Sequence, residues 1–194
     1  MALAPEAAKL VDAMNAHGYT GFAKIGLEGA RQMVDNTSPP GFGPEMHSVE
    51  DYRCSVGDVP VRLYRPSAGP LPVVVFFHGG GWTLGSLKSH DSVCRRVAAD
   101  TGAAVVAVDY RLAPEHPFPA AIDDAWAATR WVFDRISELG LDDRRLAVAG
   151  DSAGGNLAAV VARLCRDQGL ELRQQVLIYP IIDRRLDRPS MIEN

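Results

Sequence analysis

The chain has 194 residues, 47% of them hydrophobic and 23% charged, with a net charge of −4. That length suits one domain with a substantial core, and the composition is that of an ordinary globular protein. The acidic balance removes the electrostatic footing for nucleic acid or an anionic membrane surface.

Cys54, Cys94 and Cys165 are odd in number and form no C-x-x-C pair. Neither a disulfide frame nor a zinc site is expected, and a reducing, cytoplasmic setting is. The first residues lack a basic stretch followed by an apolar one, and no apolar run nears 18 residues. A signal peptide and a membrane span are therefore not expected.

In chain order, Leu3, Ala7, Leu10, Val11 and Met14 fall on one stripe of a helix, with Gly18 as its stop. Phe22, Ile25, Ala30, Met33 and Val34 predict a second helix with one apolar face. The turn formers between Asn36 and Pro44 predict a loop. From Val49 the period becomes two. Short alternating runs on either side of Gly57-Asp58 signal a hairpin, with Pro60 suited to an edge position.

Residues 71–77, 103–108, 146–149 and 175–179 are apolar runs expected as strands, the first three buried on both faces. Between them, residues 89–101, 119–139 and 155–165 carry helical spacing. Val93, Val97 and Ala98 share one face of the first, and Gly102 and Gly140 close the first two. This alternation predicts an α/β fold: a mostly parallel sheet with helices on both faces.

Two motifs carry chemistry. Gly150-Asp151-Ser152-Ala153-Gly154 sits between a strand and a helix, the context in which G-x-S-x-G forms a nucleophile elbow. The following helix aims its N–H groups and positive dipole end at charge developing there. His78-Gly79-Gly80-Gly81-Trp82 follows the strand 71–77 directly. In open α/β sheets, ligands bind beyond the carboxyl ends of the strands, where both motifs lie.

Consecutive glycines leave N–H donors unobstructed for an oxyanion. A phosphate cradle fits less well, because no lysine follows and Leu84 takes the last glycine place of G-x-G-x-x-G. His78 has no second ligand at metal spacing and is expected to brace the loop. No metal and no cofactor are expected.

Taken together, His78–Trp82, Tyr110-Arg111-Leu112-Ala113-Pro114-Glu115 and Gly150–Asn156 resemble the three signature blocks of the hormone-sensitive-lipase-like esterases, a branch of the α/β-hydrolase fold. The resemblance implies a serine carboxylesterase acting on small, short-chain acyl esters through an acyl-enzyme. Ser152 would be the nucleophile, and the N–H groups of Gly80, Gly81 and Ala153 the oxyanion hole. His78, Gly79 and Asp151 would support the site, and the loop 110–115 would hold its base. Residues 1–48 would be a helical cap segment with its loop, 49–182 the hydrolase core, and 183–194 the start of a second cap segment.

The chain also departs from the pattern. In α/β-hydrolases the acid and then the histidine follow the serine. Here His17, His47, His78, His90 and His116 all precede Ser152. Asp167, Glu171, Asp183, Asp187 and Glu193 follow it, outside any acid motif of the family. His116 lies in what resembles a structural continuation of the second block, and the remaining histidines receive no catalytic role.

Nucleophile and oxyanion hole are thus expected here, and the rest of the triad and the last strands of the fold elsewhere. Three readings follow: the amino-terminal part of a longer esterase, a short product completed by another chain, or a non-catalytic module that binds a small ligand. The partners considered are a small ester substrate and a homo-oligomer or complementing chain.

Overall fold

The structure, a computed structural model, describes residues 4–16, 22–38 and 41–183. The features expected at Leu3, His17, Gly18 and residues 184–194, including Asp187 and Glu193, lie outside the described residues. The elements run α1 (Pro5–Ala16), α2 (Phe22–Asp35), β1 (Ser48–Arg53), β2 (Pro60–Arg65), β3 (Leu71–Phe77), α3 (Asp91–Thr101), β4 (Ala104–Val108), α4 (Ala120–Arg135), β5 (Leu141–Asp151), α5 (Ala153–Asp167) and β6 (Gln174–Ile178).

The six strands form one sheet in the order β1-β2-β4-β3-β5-β6. The β1–β2 and β2–β4 pairs are antiparallel, while β4, β3, β5 and β6 run parallel. Alternation in the strands sorts the core into two layers. Val61, Leu63, Val73, Val75, Phe77 and Val106 face α4 and α5 on one side of the sheet. Tyr64, Phe76, Val105, Ala107 and Ala149 face Cys94 and Ala98 of α3 on the other. Helices therefore cover both faces, as the strand–helix alternation predicts. Gly102 stops α3 in the left-handed conformation, its N–H donating to the Ala98 carbonyl.

Four local expectations are corrected. Gly26 is non-helical (φ 72°, ψ 170°), so α2 breaks and restarts there. Ile25, before the break, is exposed while Ala30 is buried. Pro60 is not on an edge, because β2 lies inside the sheet. It is tolerated as the first residue of its strand, where no ladder N–H is needed and its carbonyl takes the Asp109 N–H at 3.0 Å.

On α3 the buried face is Asp91, Cys94 and Ala98, whereas Val93 is exposed. Asp91 accepts the Tyr64 hydroxyl at 2.9 Å and Arg95 Nε at 2.7 Å. This paired carboxylate, rather than a valine, turns inward. Finally, β5 begins at Leu141, with its pairing to β3 shifted between Leu141 and Leu146. The Asp142 carboxylate accepts the Arg144 N–H and Arg145 Nε across that irregularity.

At the far side β6 is the last strand of the described sheet, and Val176 and Ile178 on it are exposed. No helix among the described residues is long and apolar enough to cross a membrane. All three cysteines are free and buried.

Candidate active site

The chain leaves the sheet at Ser152 through a conformation that a side chain rarely adopts. Ser152 has φ 53° and ψ −116°, between the last residue of β5 and the first of α5. Such a backbone costs on the order of 1–3 kcal/mol and persists only where its surroundings hold it. Here its N–H donates to the Ile178 carbonyl at 2.9 Å, and its carbonyl accepts from Ile181 at 3.1 Å and Asn156 at 3.2 Å. The Asn156 amide also donates to the Ile181 carbonyl at 2.8 Å, so the segment after β6 is laced to the turn. The Ser152 side chain makes no capping hydrogen bond to α5, which leaves its hydroxyl uncommitted to the helix.

Gly154 explains how the second motif comes within reach. A Cβ placed there would overlap the backbone carbonyls of Phe77 and His78. The end of β3 therefore passes the first turn of α5 at backbone contact, and the glycine loop leaves the sheet beside the serine. Within that loop Gly80 takes φ 122°, and its carbonyl accepts the N–H groups of Thr83 (3.1 Å) and Leu84 (2.8 Å). The turn is closed so tightly that a Cβ on Gly80 would overlap the Leu84 carbonyl. Among the described residues, the N–H groups of Gly80, Gly81 and Ala153 donate to no backbone carbonyl of the surrounding turns.

Asp151 joins the two motifs. Its Oδ1 accepts the Gly79 N–H at 2.9 Å and lies 3.4 Å from His90 Nε2, while its Oδ2 accepts the Tyr179 hydroxyl at 3.2 Å. Burial works to raise this carboxyl. The His90 hydrogen bond and charge, with the Tyr179 hydroxyl and the Gly79 N–H, outweigh it and leave Asp151 below its ordinary value.

His78 lies behind the loop. Its ring stacks on Tyr110 at 4.2 Å, its Nδ1 meets the Gly79 carbonyl at 2.8 Å, and its own carbonyl accepts the Tyr110 hydroxyl at 2.6 Å. Burial pushes its pKa down to about 4, so the ring is neutral at pH 7. A neutral, stacked ring suits bracing the loop from behind.

The structure thus brings His78, Gly79, Asp151 and the Ser152 turn together through direct contacts. Asp167 and Glu171 point elsewhere, pairing with Arg166 (2.8 Å) and Arg173 (3.2 Å) on the surface. Among the described residues no group of three or more His, Cys, Asp or Glu is arranged to hold a metal.

Sequence reasoning missed His90 and Tyr179. His90 follows the glycine loop and precedes α3, and no spacing relates it to Asp151. Tyr179, expected as the end of a strand, instead takes φ 34° just beyond β6 and turns its hydroxyl toward Asp151.

Comparison with known proteins agrees with this geometry. A profile of the alpha/beta hydrolase fold family matches residues 74–194. Carboxylesterase NlhH of Mycobacterium tuberculosis is 51% identical over 181 residues, which is 89% of this chain and 56% of that protein. Ethyl acetate hydrolase of Pseudomonas putida is 42% identical over 173 residues, 84% of this chain and 54% of that protein. A hyperthermophilic esterase from the archaeon Pyrobaculum calidifontis superposes with a TM-score of 0.86 at 45% identity, covering 94% of this chain and 60% of that one. The chain spans about half the length of the curated relatives it matches. With the three sequence blocks, the sheet and the serine turn in agreement with that match, the chain belongs to the α/β-hydrolase family, in its hormone-sensitive-lipase-like branch.

Proposed function

We propose that these residues carry the nucleophile and oxyanion hole of a carboxylic ester hydrolase acting on short-chain acyl esters. The observation that carries this reading is the Ser152 turn, held at positive φ at the amino end of α5 and tied through Asp151 to a glycine loop. Ser152 Oγ attacks the ester carbonyl. Its oxygen, charged in the tetrahedral intermediate, is held by the N–H groups of Gly80, Gly81 and Ala153 and by the positive end of α5. Collapse expels the alcohol and leaves an acyl-enzyme, which water then releases.

A serine needs a base to take its proton and return it to the leaving alcohol. No histidine follows Ser152 in these 194 residues. We assign the base and its acid partner to sequence outside them, in the same polypeptide or a complementing chain. The three buried thiols fit a reducing, cytoplasmic compartment.

The test uses the full-length protein with p-nitrophenyl acetate and a fluorophosphonate probe. Ser152→Ala is expected to abolish both turnover and labelling. Unchanged turnover in that variant refutes the assignment. Residues 1–194 alone are expected to give at most the roughly 10³–10⁴-fold acceleration over water that remains without a working triad.

A further inference from the structure

One side chain of the N-terminal segment reaches the glycine loop. Arg31 lies on α2 beyond the Gly26 break, with its side chain 24% exposed. Its Nε donates to the Thr83 carbonyl at 3.0 Å and its Nη2 to the Ala113 carbonyl at 3.0 Å. Its Nη1 and Nη2 also grip the two oxygens of Glu115 at 2.8 Å each. One turn further along α2, Asp35 accepts the Ser86 hydroxyl at 2.5 Å.

The carbonyl that Arg31 holds belongs to the tight turn in which Thr83 and Leu84 close on Gly80. The other carbonyl belongs to a loop that already touches that turn, since the Ala113 N–H donates to the Trp82 carbonyl at 2.8 Å. A single planar guanidinium therefore fixes both loops relative to α2.

An exposed arginine–glutamate pair contributes little by itself, and Glu115 is half exposed. The pair does fix the fork of the guanidinium. It also stays charged at any pH used for an ester assay, because the Arg31 hydrogen bond holds the Glu115 carboxyl down at about 2. The remaining donors are thereby aimed at the two carbonyls.

We propose that Arg31 is a positioning residue for ester hydrolysis, tying α2 to the Thr83 and Ala113 carbonyls so that the Gly80 and Gly81 N–H groups stand where the oxyanion forms. This rests on the assignment of Ser152 and its oxyanion hole. Donors of that kind act within about 2.7–3.1 Å of the oxyanion, so a small displacement of the loop is felt in the chemical step rather than in substrate binding.

The experiment compares Arg31→Met, Arg31→Lys, Glu115→Gln and Ser152→Ala in the full-length protein, measuring kcat and KM for p-nitrophenyl acetate with the melting temperature of each variant. Arg31→Met is expected to lower kcat by about ten- to a hundred-fold with KM within about two-fold of the parent. Arg31→Lys keeps the charge and one carbonyl contact but not the fork, and is expected to recover part of the loss. Glu115→Gln leaves both carbonyl bonds and is expected to cost less than Arg31→Met.

If Arg31→Met does not fold, the same kcat–KM split is read on Arg31→Lys. A kcat within two-fold of the parent, a loss carried by KM alone, or a loss that follows the fraction unfolded would overturn the proposal. Turnover that survives Ser152→Ala overturns the serine assignment and this inference with it. Its loss there, beside an unaffected Arg31 variant, overturns this inference alone.

Discussion

Asp151 is the side chain whose removal most directly separates the serine turn from the glycine loop. Asp151→Ala takes away the acceptor of the Gly79 N–H and the contacts to His90 and Tyr179. Its side chain is only 13% exposed, so water compensates little of that loss. A hydrogen bond to a charged group contributes about 1.5–3 kcal/mol, and a part-buried N–H left without a partner costs a similar amount. About 2 kcal/mol of stability should therefore disappear, together with the restraint on the loop.

Loss of one oxyanion donor outright costs about 10²–10³-fold in kcat, so a loosened loop should cost roughly a hundred-fold. Asp151→Asn keeps an oxygen for the Gly79 N–H and should lose closer to ten-fold. The sign with pH follows from the lowered carboxyl. Its contribution is complete above the unfolded value near 3.8 and is lost as pH falls through the lower folded value. The stability gap between the parent and Asp151→Asn should accordingly close only in strong acid. Urea unfolding across pH, with kcat for a p-nitrophenyl ester, measures both effects in the full-length protein. A folded Asp151→Ala variant with parental kcat and parental urea midpoint would refute the bridge.

Two further outcomes are expected. Gly154→Ala puts a methyl against the Phe77 and His78 carbonyls, which are backbone and cannot swing aside. It should cost about 3 kcal/mol or more by urea unfolding, and a loss below 1 kcal/mol would mean that the two segments are not in contact. Burial holds His78 at about 4 against an ordinary 6.5, so the unfolded chain binds its proton first on acidification. Stability should fall by about 3 kcal/mol between pH 6.5 and 4, and His78→Asn should flatten that slope in a pH series of unfolding curves.

Much of the fold was legible because it is written in periodicity. The change from helical spacing to alternation near Val49 and the apolar runs at residues 71–77 and 103–108 each specify an element with little help from its neighbours. What escaped is decided between elements. The inward face of α3 depends on Asp91 finding Tyr64 on β2 as well as Arg95 one turn along its own helix, and the helix pattern records only the second of those partners. The break in α2 needed only one glycine, but an isolated glycine inside a helical pattern does not say whether the helix tolerates it or stops.

The site divides in the same way, and the division follows from what each part asks of the chain. An oxyanion hole and a nucleophile elbow are built from backbone, and backbone demands appear locally as glycines at fixed offsets from a serine. The groups that hold these parts in place are side chains of unremarkable type, drawn from wherever the fold delivers them. His90 reaches Asp151 from just before α3, Tyr179 from beyond β6, and Arg31 reaches the Thr83 carbonyl from α2. Their separations in sequence carry no period, so only the assembled sheet relates them.

That asymmetry also says where substitutions should act. Changes at the motif glycines disturb the fold of the turn itself. Changes at Arg31, Asp151 or His90 leave the turns able to form while loosening their mutual placement, and so should be read first in kcat.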